Sequence, residues 1–217
     1  MNIFLFASCM PVRRAGFILS LAALAGCASL PSSNPVLAVH DFGSLEAASL
    51  DPGGIPLRGV EVVPAPWLAS NVMIYRLAYA DATRRQAYKD SRWAAQPAQL
   101  VELVLKRSLR AGDSMASAGG CRLRVDLDEF AQLFDTPRAS RGVIEVRAAL
   151  LAPRSDQPLV LRAFSIDHEA ATPDAAGGVA ALRSGTLRLK DEIRAWLQSL
   201  ESVARGPADS LRARCGA

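Results

Sequence analysis

The residue best suited to covalent chemistry is Cys27, which ends a Leu-Ala-Gly-Cys segment at residues 24–27. Two arginines at 13–14 and an apolar run at 17–24 precede it. A basic start, a short apolar stretch and small residues before a cleavage site are typical of a secretory signal. A cysteine directly after Ala-Gly makes the segment a lipobox, which predicts cleavage between Gly26 and Cys27 and lipid attachment to Cys27.

In this prediction the Cys27 thiol carries a diacylglycerol through a thioether, and the new amino group carries a further acyl chain. Two or more chains anchor stably, because each buried methylene contributes about 0.8 kcal/mol. The alternative is a transmembrane helix, but the apolar run from Ala15 to Gly26 is shorter than the roughly 20 residues that a spanning helix needs. Ala28 stands where an aspartate would retain a lipoprotein in the inner membrane, so we expect an outer-membrane location facing the periplasm.

Composition predicts one globular domain behind this anchor. We assign residues 1–26 to the signal, 27–35 to a tether, 36–204 to the domain and 205–217 to a loose C-terminal tail. Half of the residues are hydrophobic, which is enough to build a core. The net charge of +4 falls to +2 once the two signal arginines are removed. This small excess gives no support for a nucleic-acid partner.

The apolar pattern predicts an α+β fold, a two-layer sandwich with two helices packed on one face of a mainly antiparallel sheet. Alternation of apolar and charged residues, clearest in 121–134, is typical of strands with one buried and one solvated face. Apolar residues at helical spacing indicate the helices. The stripe of the last helix consists of Leu182, Thr186, Leu189, Ile193, Trp196 and Leu200. The predicted strands are 36–42, 57–63, 72–77, 86–88, 121–134, 143–151 and 159–169, and the predicted helices are 97–111 and a segment from after Asp174 to Gly206-Pro207.

Catalytic signatures are missing from the sequence, and we do not expect an enzyme. Neither G-x-S-x-G nor H-E-x-x-H occurs. The two histidines, His40 and His168, lie far apart along the chain. Asp126, Asp128 and Glu129 share a strand with arginines, which is typical of a solvated, charge-mixed face. We expect no metal site, and no cofactor beyond the covalent lipid.

Two cysteines, Cys121 and Cys215, belong to the predicted mature chain in addition to the lipidated one. The periplasm is oxidising, which permits a disulfide between them. However, Cys215 is close to the terminus, where chains fray. Both a disulfide and two free thiols stay open, because the sequence cannot bring two Cα atoms within the roughly 7 Å that a bridge needs.

The order of several apolar and aromatic residues resembles the ABC-type transport auxiliary lipoproteins (PqiC-like) over roughly residues 36–200. Before the first helix the family often has an acidic residue and prolines, whereas this chain has Ala95-Gln96-Pro97. The residues that carry the resemblance are Val60-x-Val62-x-Pro64, Trp67-Leu68, Ile74-Tyr75-Arg76, Tyr88, Trp93-x-x-x-Pro97 and Leu123-x-Val125-x-Leu127-x-x-Phe130.

The resemblance implies an outer-membrane accessory lipoprotein of Mce-type (mammalian cell entry) ABC systems, which move lipids between the two membranes. Its direct partner would be a periplasmic Mce-domain protein, with an inner-membrane permease and ATPase beyond it. Outer-membrane lipids and further copies of the chain are the other expected partners. We predict partner contacts at Tyr75, Arg76 and Trp93. For Trp93, packing under the following helix is an equal alternative.

Two other functions remain consistent with the sequence. One is a scaffold lipoprotein for an outer-membrane β-barrel, as in lipopolysaccharide export. The other is a periplasmic hydrolase, which would need His40 or His168 beside a carboxylate.

Overall fold

The computed structural model of the 217-residue chain describes residues 36–44, 55–109, 119–202 and 210–216. The described residues from Leu37 onward belong to one unit. The predicted signal, its lipobox cysteine Cys27 and the tether lie outside the described residues. Within the described part of the chain, no helix combines the length and apolarity needed to cross a membrane.

Within the described residues, a seven-stranded sheet carries the fold, with four helices around it. The strands are β1 (Ala38–His40), β2 (Leu57–Pro64), β3 (Val72–Leu77), β4 (Ala82–Trp93), β5 (Cys121–Thr136), β6 (Ala139–Leu151) and β7 (Pro158–Glu169). The helices are α1 (Ala78–Asp81), α2 (Pro97–Leu109), α3 (Ala175–Ser202) and α4 (Leu211–Arg214), and a short 3-10 helix spans Pro66–Leu68.

Strand β5 is the centre of the sheet, whose strand order is β1-β4-β3-β5-β6-β7 with β2 also paired to β5. The β5–β6, β6–β7 and β3–β4 pairs are antiparallel, as predicted. In contrast, β2 and β3 pair in parallel with successive halves of the same edge of β5, and β1 pairs in parallel with β4. Strands β2 and β3, joined by the 3-10 helix, run in the same direction, so both are parallel to β5.

A β-bulge in β5 keeps its apolar side chains on one face. The pairing register with β6 shifts between Leu127 and Glu129. Before the shift, odd-numbered residues such as Val125 and Leu127 are buried, and after it the even-numbered Phe130 and Phe134 are buried. One extra residue in a strand reverses the alternation. The bulge therefore allows one long strand to face the same core from end to end.

The two long helices, α2 and α3, cover one face of the sheet, which confirms the predicted α+β fold. Helix α2 packs on β2 and α3, and α3 packs on β5, β6 and β7. Glu102 of α2 also accepts a hydrogen bond of 2.9 Å from the Val62 backbone N–H, which occupies the outer edge of β2. Five residues of the predicted apolar stripe of α3 are buried, and Leu200 is partly buried; the five are Leu182, Thr186, Leu189, Ile193 and Trp196.

Helix α3 begins where the sequence predicted, directly after Asp174. The Asp174 carboxylate accepts hydrogen bonds of 2.8 Å from the Gly177 N–H and from the Thr172 hydroxyl. These two bonds, the backbone one first, lower the pKa of Asp174 below its usual value. An N-terminal cap of this kind satisfies a backbone donor that has no partner inside the helix.

The C-terminal segment corrects the prediction of a loose tail at residues 210–216. These residues include α4, in which Leu211 is buried. Cys215 forms a disulfide with Cys121 at the start of β5, with the two Cα atoms 4.9 Å apart and a sequence separation of 94. The disulfide therefore ties the described part of the predicted tail to β5. The sequence left a disulfide and two free thiols open, and the structure has the disulfide.

Strand β4 also differs from the prediction. The sequence indicated only a short partner for β3 at residues 86–88, across a loop containing Asp81. In the structure β4 extends over Ala82–Trp93, and Asp81 ends helix α1. Trp93 therefore belongs to a strand and not to the segment before helix α2.

Candidate functional site

The face of the sheet opposite α2 and α3, which we call the open face, carries most of the charged side chains of β5 and β6. Asp126 pairs with Arg124 at 3.0 Å, and Asp128 pairs with Arg147 at 2.8 Å. Hydrogen bonding to Asp128 raises the pKa of the Arg147 guanidinium. These pairs confirm the predicted charge-mixed face.

A cluster of two arginines and one carboxylate lies near the middle of the open face, and we call it the Arg–Glu–Arg triad. Both oxygens of Glu129 accept hydrogen bonds from Arg85, at 2.7 and 2.9 Å. Arg76 donates to Glu129 at 2.7 Å and to the Ala82 carbonyl at 2.9 Å. The side chains are largely shielded from solvent. A bidentate, partly buried pair of this kind holds its geometry better than an exposed one.

Trp67 is an exposed aromatic side chain beside this triad. Its relative accessibility is 53%. The indole N–H donates to the Asp128 carbonyl at 3.2 Å, and the Arg85 guanidinium lies 5.2 Å from the ring centre. Tryptophan and arginine are enriched among residues that dominate protein–protein binding energy. Trp67 is therefore a solvent-facing aromatic side chain with a defined orientation on the open face.

A cleft of about 290 Å³ opens next to the triad. Its apolar part consists of Ala131, Leu133 and Val143. Glu145 is aligned directly opposite Glu129 on the neighbouring strand. Ala82 and the charged side chains of Arg76, Glu129 and Glu145 complete the lining, and we call the space between all these residues the cleft.

The predicted partner contact at Trp93 is wrong, because its side chain is in the core. Only 1% of Trp93 is accessible. Its ring makes edge-on contacts with Phe42 at 5.8 Å and with Phe130 at 5.6 Å between centroids. Because β4 continues through residue 93, strand alternation directs this side chain to the helix-covered side together with Ser91.

The other two predicted contacts, Tyr75 and Arg76, lie on opposite faces of the sheet. Arg76 is part of the triad, whereas the Tyr75 ring contacts Tyr88 at 4.7 Å and Phe134 at 5.9 Å. The Tyr75 hydroxyl donates to Gln86 at 3.1 Å. Neighbouring strand residues point in opposite directions. These two residues therefore do not form one continuous surface.

A buried polar chain continues from Tyr88 beneath the start of α3. The Tyr88 hydroxyl donates to Gln132 at 2.7 Å, and Gln132 donates to Ser140 at 2.8 Å. Burial is the main reason that the pKa of Tyr88 is raised. A Cβ at Gly178 would come within 2.1 Å of the Gln132 side-chain oxygen, so a larger residue there would displace the amide that bonds Tyr88 and Ser140. The chain is fully used in internal hydrogen bonds and positions the helix.

The two histidines named as hydrolase candidates lie far apart in the sheet. His40 is in β1 and His168 is in β7, the two opposite ends of the strand order. Among the described residues, no group of three or more His, Cys, Asp or Glu side chains could hold a metal ion. The arrangement on the open face is suited to contact with another molecule.

The comparison with family models assigns the class of protein. The model of the ABC-type transport auxiliary lipoprotein component family matches residues 60–194. The chain belongs to this family. The family is a component of transport systems and not a known class of enzymes. No curated protein matches the chain.

Two solved structures share the fold. A protein from Xanthomonas campestris, described by the family model DUF330, has a TM-score of 0.56 and 18% identity, with 76% of this chain and 93% of that chain covered. A second protein, described as uncharacterized, has a TM-score of 0.58 and 16% identity, with 75% of this chain and 99% of that chain covered.

Sequence reasoning missed Trp67 and the cleft as parts of a site. Trp67 follows Pro64-Ala65-Pro66 at the end of a predicted strand, and a large aromatic residue in a turn was the available signal. The triad could not be found in this way, because Arg76 and Arg85 are 53 and 44 residues from Glu129.

Proposed function

We propose that the protein is an outer-membrane lipoprotein that serves as the accessory subunit of an Mce-type ABC lipid transport system. Membership of the transport auxiliary lipoprotein family is the observation that carries this proposal. The lipobox at residues 24–27 supports anchoring through lipid on Cys27. The disulfide between Cys121 and Cys215 is consistent with an oxidising compartment such as the periplasm.

In this proposal the open face docks a periplasmic Mce-domain protein, and the helix-covered core keeps that face rigid. Trp67 and the Arg–Glu–Arg triad supply the residue types that are enriched at protein interfaces. The permease and ATPase of the inner membrane supply the energy for transport. The accessory subunit holds the periplasmic partner at the outer membrane so that lipid passes between the two membranes and the envelope stays intact.

The partner is tested by affinity purification of the tagged chain from detergent-solubilised membranes of its own cell. We expect an Mce-domain protein, with its permease and ATPase, to co-purify in defined ratio. An outer-membrane β-barrel in their place would support the scaffold function. Purification of the chain without either partner would contradict the proposed docking role.

The anchor is tested by substitution of the predicted lipidated residue. Cys27→Ala should accumulate as an unprocessed precursor without acyl mass, whereas the control Cys9→Ala should be processed and lipidated normally. Ala28→Asp should move the mature protein to the inner-membrane fraction, and Ala28→Ser should not. Normal lipidation of the Cys27→Ala variant would refute the anchor.

A further inference from the structure

Exposed apolar side chains are concentrated at the N-terminal end of the described residues. Seven large hydrophobic residues are exposed in the part of the chain that the structure describes, and three of them are Val36, Leu37 and Val39. Leu37 is 50% accessible and Val39 is 61% accessible. Neighbouring exposed apolar residues mark contacts with proteins or membranes, whereas scattered single ones need no explanation. We call Leu37 and Val39 the β1 patch.

Strand β1 lies at an edge of the sheet and presents the β1 patch on one side. Among the described strands β1 pairs only with β4, and Val39 is aligned with Arg92. Trp93, the next residue of β4, faces the core, so Val39 lies on the open face at its β1 edge. Leu37 is two residues earlier, the spacing at which an extended chain returns to the same side. The strand has only three residues, so its free backbone edge offers little for pairing with another strand.

The predicted tether joins the β1 patch to the predicted lipid anchor. Only residues 28–35 lie between Cys27 and Val36. An extended chain spans at most about 3.6 Å per residue, so Leu37 lies within about 36 Å of Cys27. A flexible tether keeps the average distance shorter than this limit. The β1 patch is thus the first part of the domain that follows the anchor along the chain.

We propose that the β1 patch contacts the lipid surface of the membrane that carries the anchor, with Leu37 and Val39 in the headgroup region. This inference rests on the lipid anchor of the proposed function and adds an orientation of the domain to it. The two side chains bury apolar surface at the boundary between headgroups and acyl chains, as the apolar face of an interfacial helix does. A weak contact is sufficient, because the tether makes it intramolecular.

The charged residues at this end of the two strands balance and do not select a headgroup. Lys89, Asp90 and Arg92 belong to β4, and Asp41 follows β1. Two cations and two anions attract anionic lipid no more than neutral lipid. The apolar side chains therefore supply the contact, and its strength does not depend on the charge of the membrane.

Strand β4 connects the membrane contact to the docking face. Its C-terminal end carries Arg92, which is aligned with Val39, and its N-terminal part carries Arg85 of the triad. Seven residue steps of a strand span at most about 24 Å. A membrane contact at one end of β4 therefore holds the triad at a fixed distance from the lipid surface.

The experiment places a fluorescent reporter beside the β1 patch in the full-length lipoprotein. Cys121 and Cys215 are bonded to each other and Cys27 is acylated in the proposed function, so a cysteine introduced at the exposed Ala38 is the only free thiol of the mature chain. It is labelled with nitrobenzoxadiazole, and the chain is reconstituted in phosphatidylcholine vesicles that contain a lipid with a nitroxide near its headgroup. Leu161→Cys is the matched control, an exposed leucine of β7 at the other end of the strand order.

We expect the nitroxide lipid to quench the Ala38 reporter at least about threefold more strongly than the Leu161 reporter, because only side chains at the lipid surface are within its reach. Leu37→Asp combined with Val39→Asp should lower the ratio of docked to undocked chains at least about tenfold, because the contact loses its apolar area and gains charge. Isoleucine at both positions should leave this ratio within about twofold of the wild-type value.

The charge of the vesicles tests the apolar nature of the contact. Addition of phosphatidylglycerol should leave the quenching within about twofold, because a surface with balanced charge gains nothing from an anionic membrane. A larger increase would contradict the inference.

Further results separate the membrane contact from the anchor. Quenching that the two aspartates do not change would show that the tether alone brings the reporter to the membrane, and the inference would be wrong. It would also be wrong if the reporter is protected from aqueous iodide but not quenched by the nitroxide, because another protein chain would then cover β1. If the wild-type chain floats with the vesicles while the Ala38 and Leu161 reporters are quenched equally, the anchor stands and the contact is wrong. A wild-type chain that does not float with the vesicles would overturn both. Thermal unfolding of each variant verifies that these exposed substitutions leave the fold intact.

Discussion

The helix-covered face of the sheet and the open face use the same strands but different contacts. On the covered face, side chains such as Val125, Ile144 and Leu189 are fully buried against one another. On the open face, charges are arranged in pairs around a partly apolar cleft. Burial of apolar area is the main source of folding stability, whereas exposed ion pairs contribute little. The covered face therefore stabilises the domain and leaves the open face available for recognition.

Two tryptophans show the same difference between the faces, Trp93 on the covered face and Trp67 on the open face. Trp93 has 1% of its surface accessible and Trp67 has 53%. Trp93 is surrounded by aromatic rings, while Trp67 is held by one hydrogen bond and one guanidinium. An exposed tryptophan with a defined orientation suits binding, and an enclosed one suits stability.

The largest effect is expected for Trp93→Ala, which tests whether the covered face stabilises the domain. We expect the free energy of unfolding to fall by about 3–5 kcal/mol, because removal of a buried aromatic side chain leaves a cavity. Urea denaturation measures this loss. The variant should bind its partner normally under conditions where it remains folded. A small loss of stability together with weak binding would instead assign Trp93 to the interface.

The next largest effect is expected when the disulfide between Cys121 and Cys215 is removed. Replacing both Cys121 and Cys215 by serine should lower the free energy of unfolding by about 2–5 kcal/mol. The bridge closes a long loop, since the sequence separation of the two cysteines is 94. The measurement is denaturation of both proteins with and without reductant. If reductant does not change the stability of the wild-type chain, the bridge is not formed.

Trp67→Ala tests the open face. Unfolding should change by no more than about 1 kcal/mol, because the side chain is mostly exposed, while affinity for the partner should fall by about 2 kcal/mol. Calorimetry for stability and titration for binding separate the two quantities. Tyr79→Ala is the matched control, an exposed aromatic residue of α1 that does not line the cleft. Equal binding by both variants would remove Trp67 from the interface.

The smallest effect concerns the cap of α3. The pKa of Asp174 is lowered in the folded protein, so the charged form adds stability above its unfolded value of 3.8. This contribution is lost as the pH falls through the lower, folded pKa. Asp174→Asn keeps a capping side chain but cannot titrate. Its stability should therefore decrease less than that of the wild-type chain between pH 5 and about pH 3, as measured by thermal unfolding.

Much of the fold could be predicted because its signals are local. Alternating apolar residues identified β5, β6 and β7 within a few residues of their observed ends. The stripe from Leu182 to Trp196 identified α3. The position of Trp93 could not be predicted, because it depends on how far β4 extends along β3 and β1.

The sequence alone determined the candidate lipobox at Cys27, most of the strands, the two long helices, and the existence of one apolar face per strand. These features depend on residues that are close together in the chain, where side-chain periodicity follows from backbone geometry. Tertiary structure decided the parallel placement of β2 and β3 on β5, the disulfide of Cys215, and the meeting of two arginines with Glu129. Those features join distant parts of the chain, and only the packing of the whole domain brings them into contact.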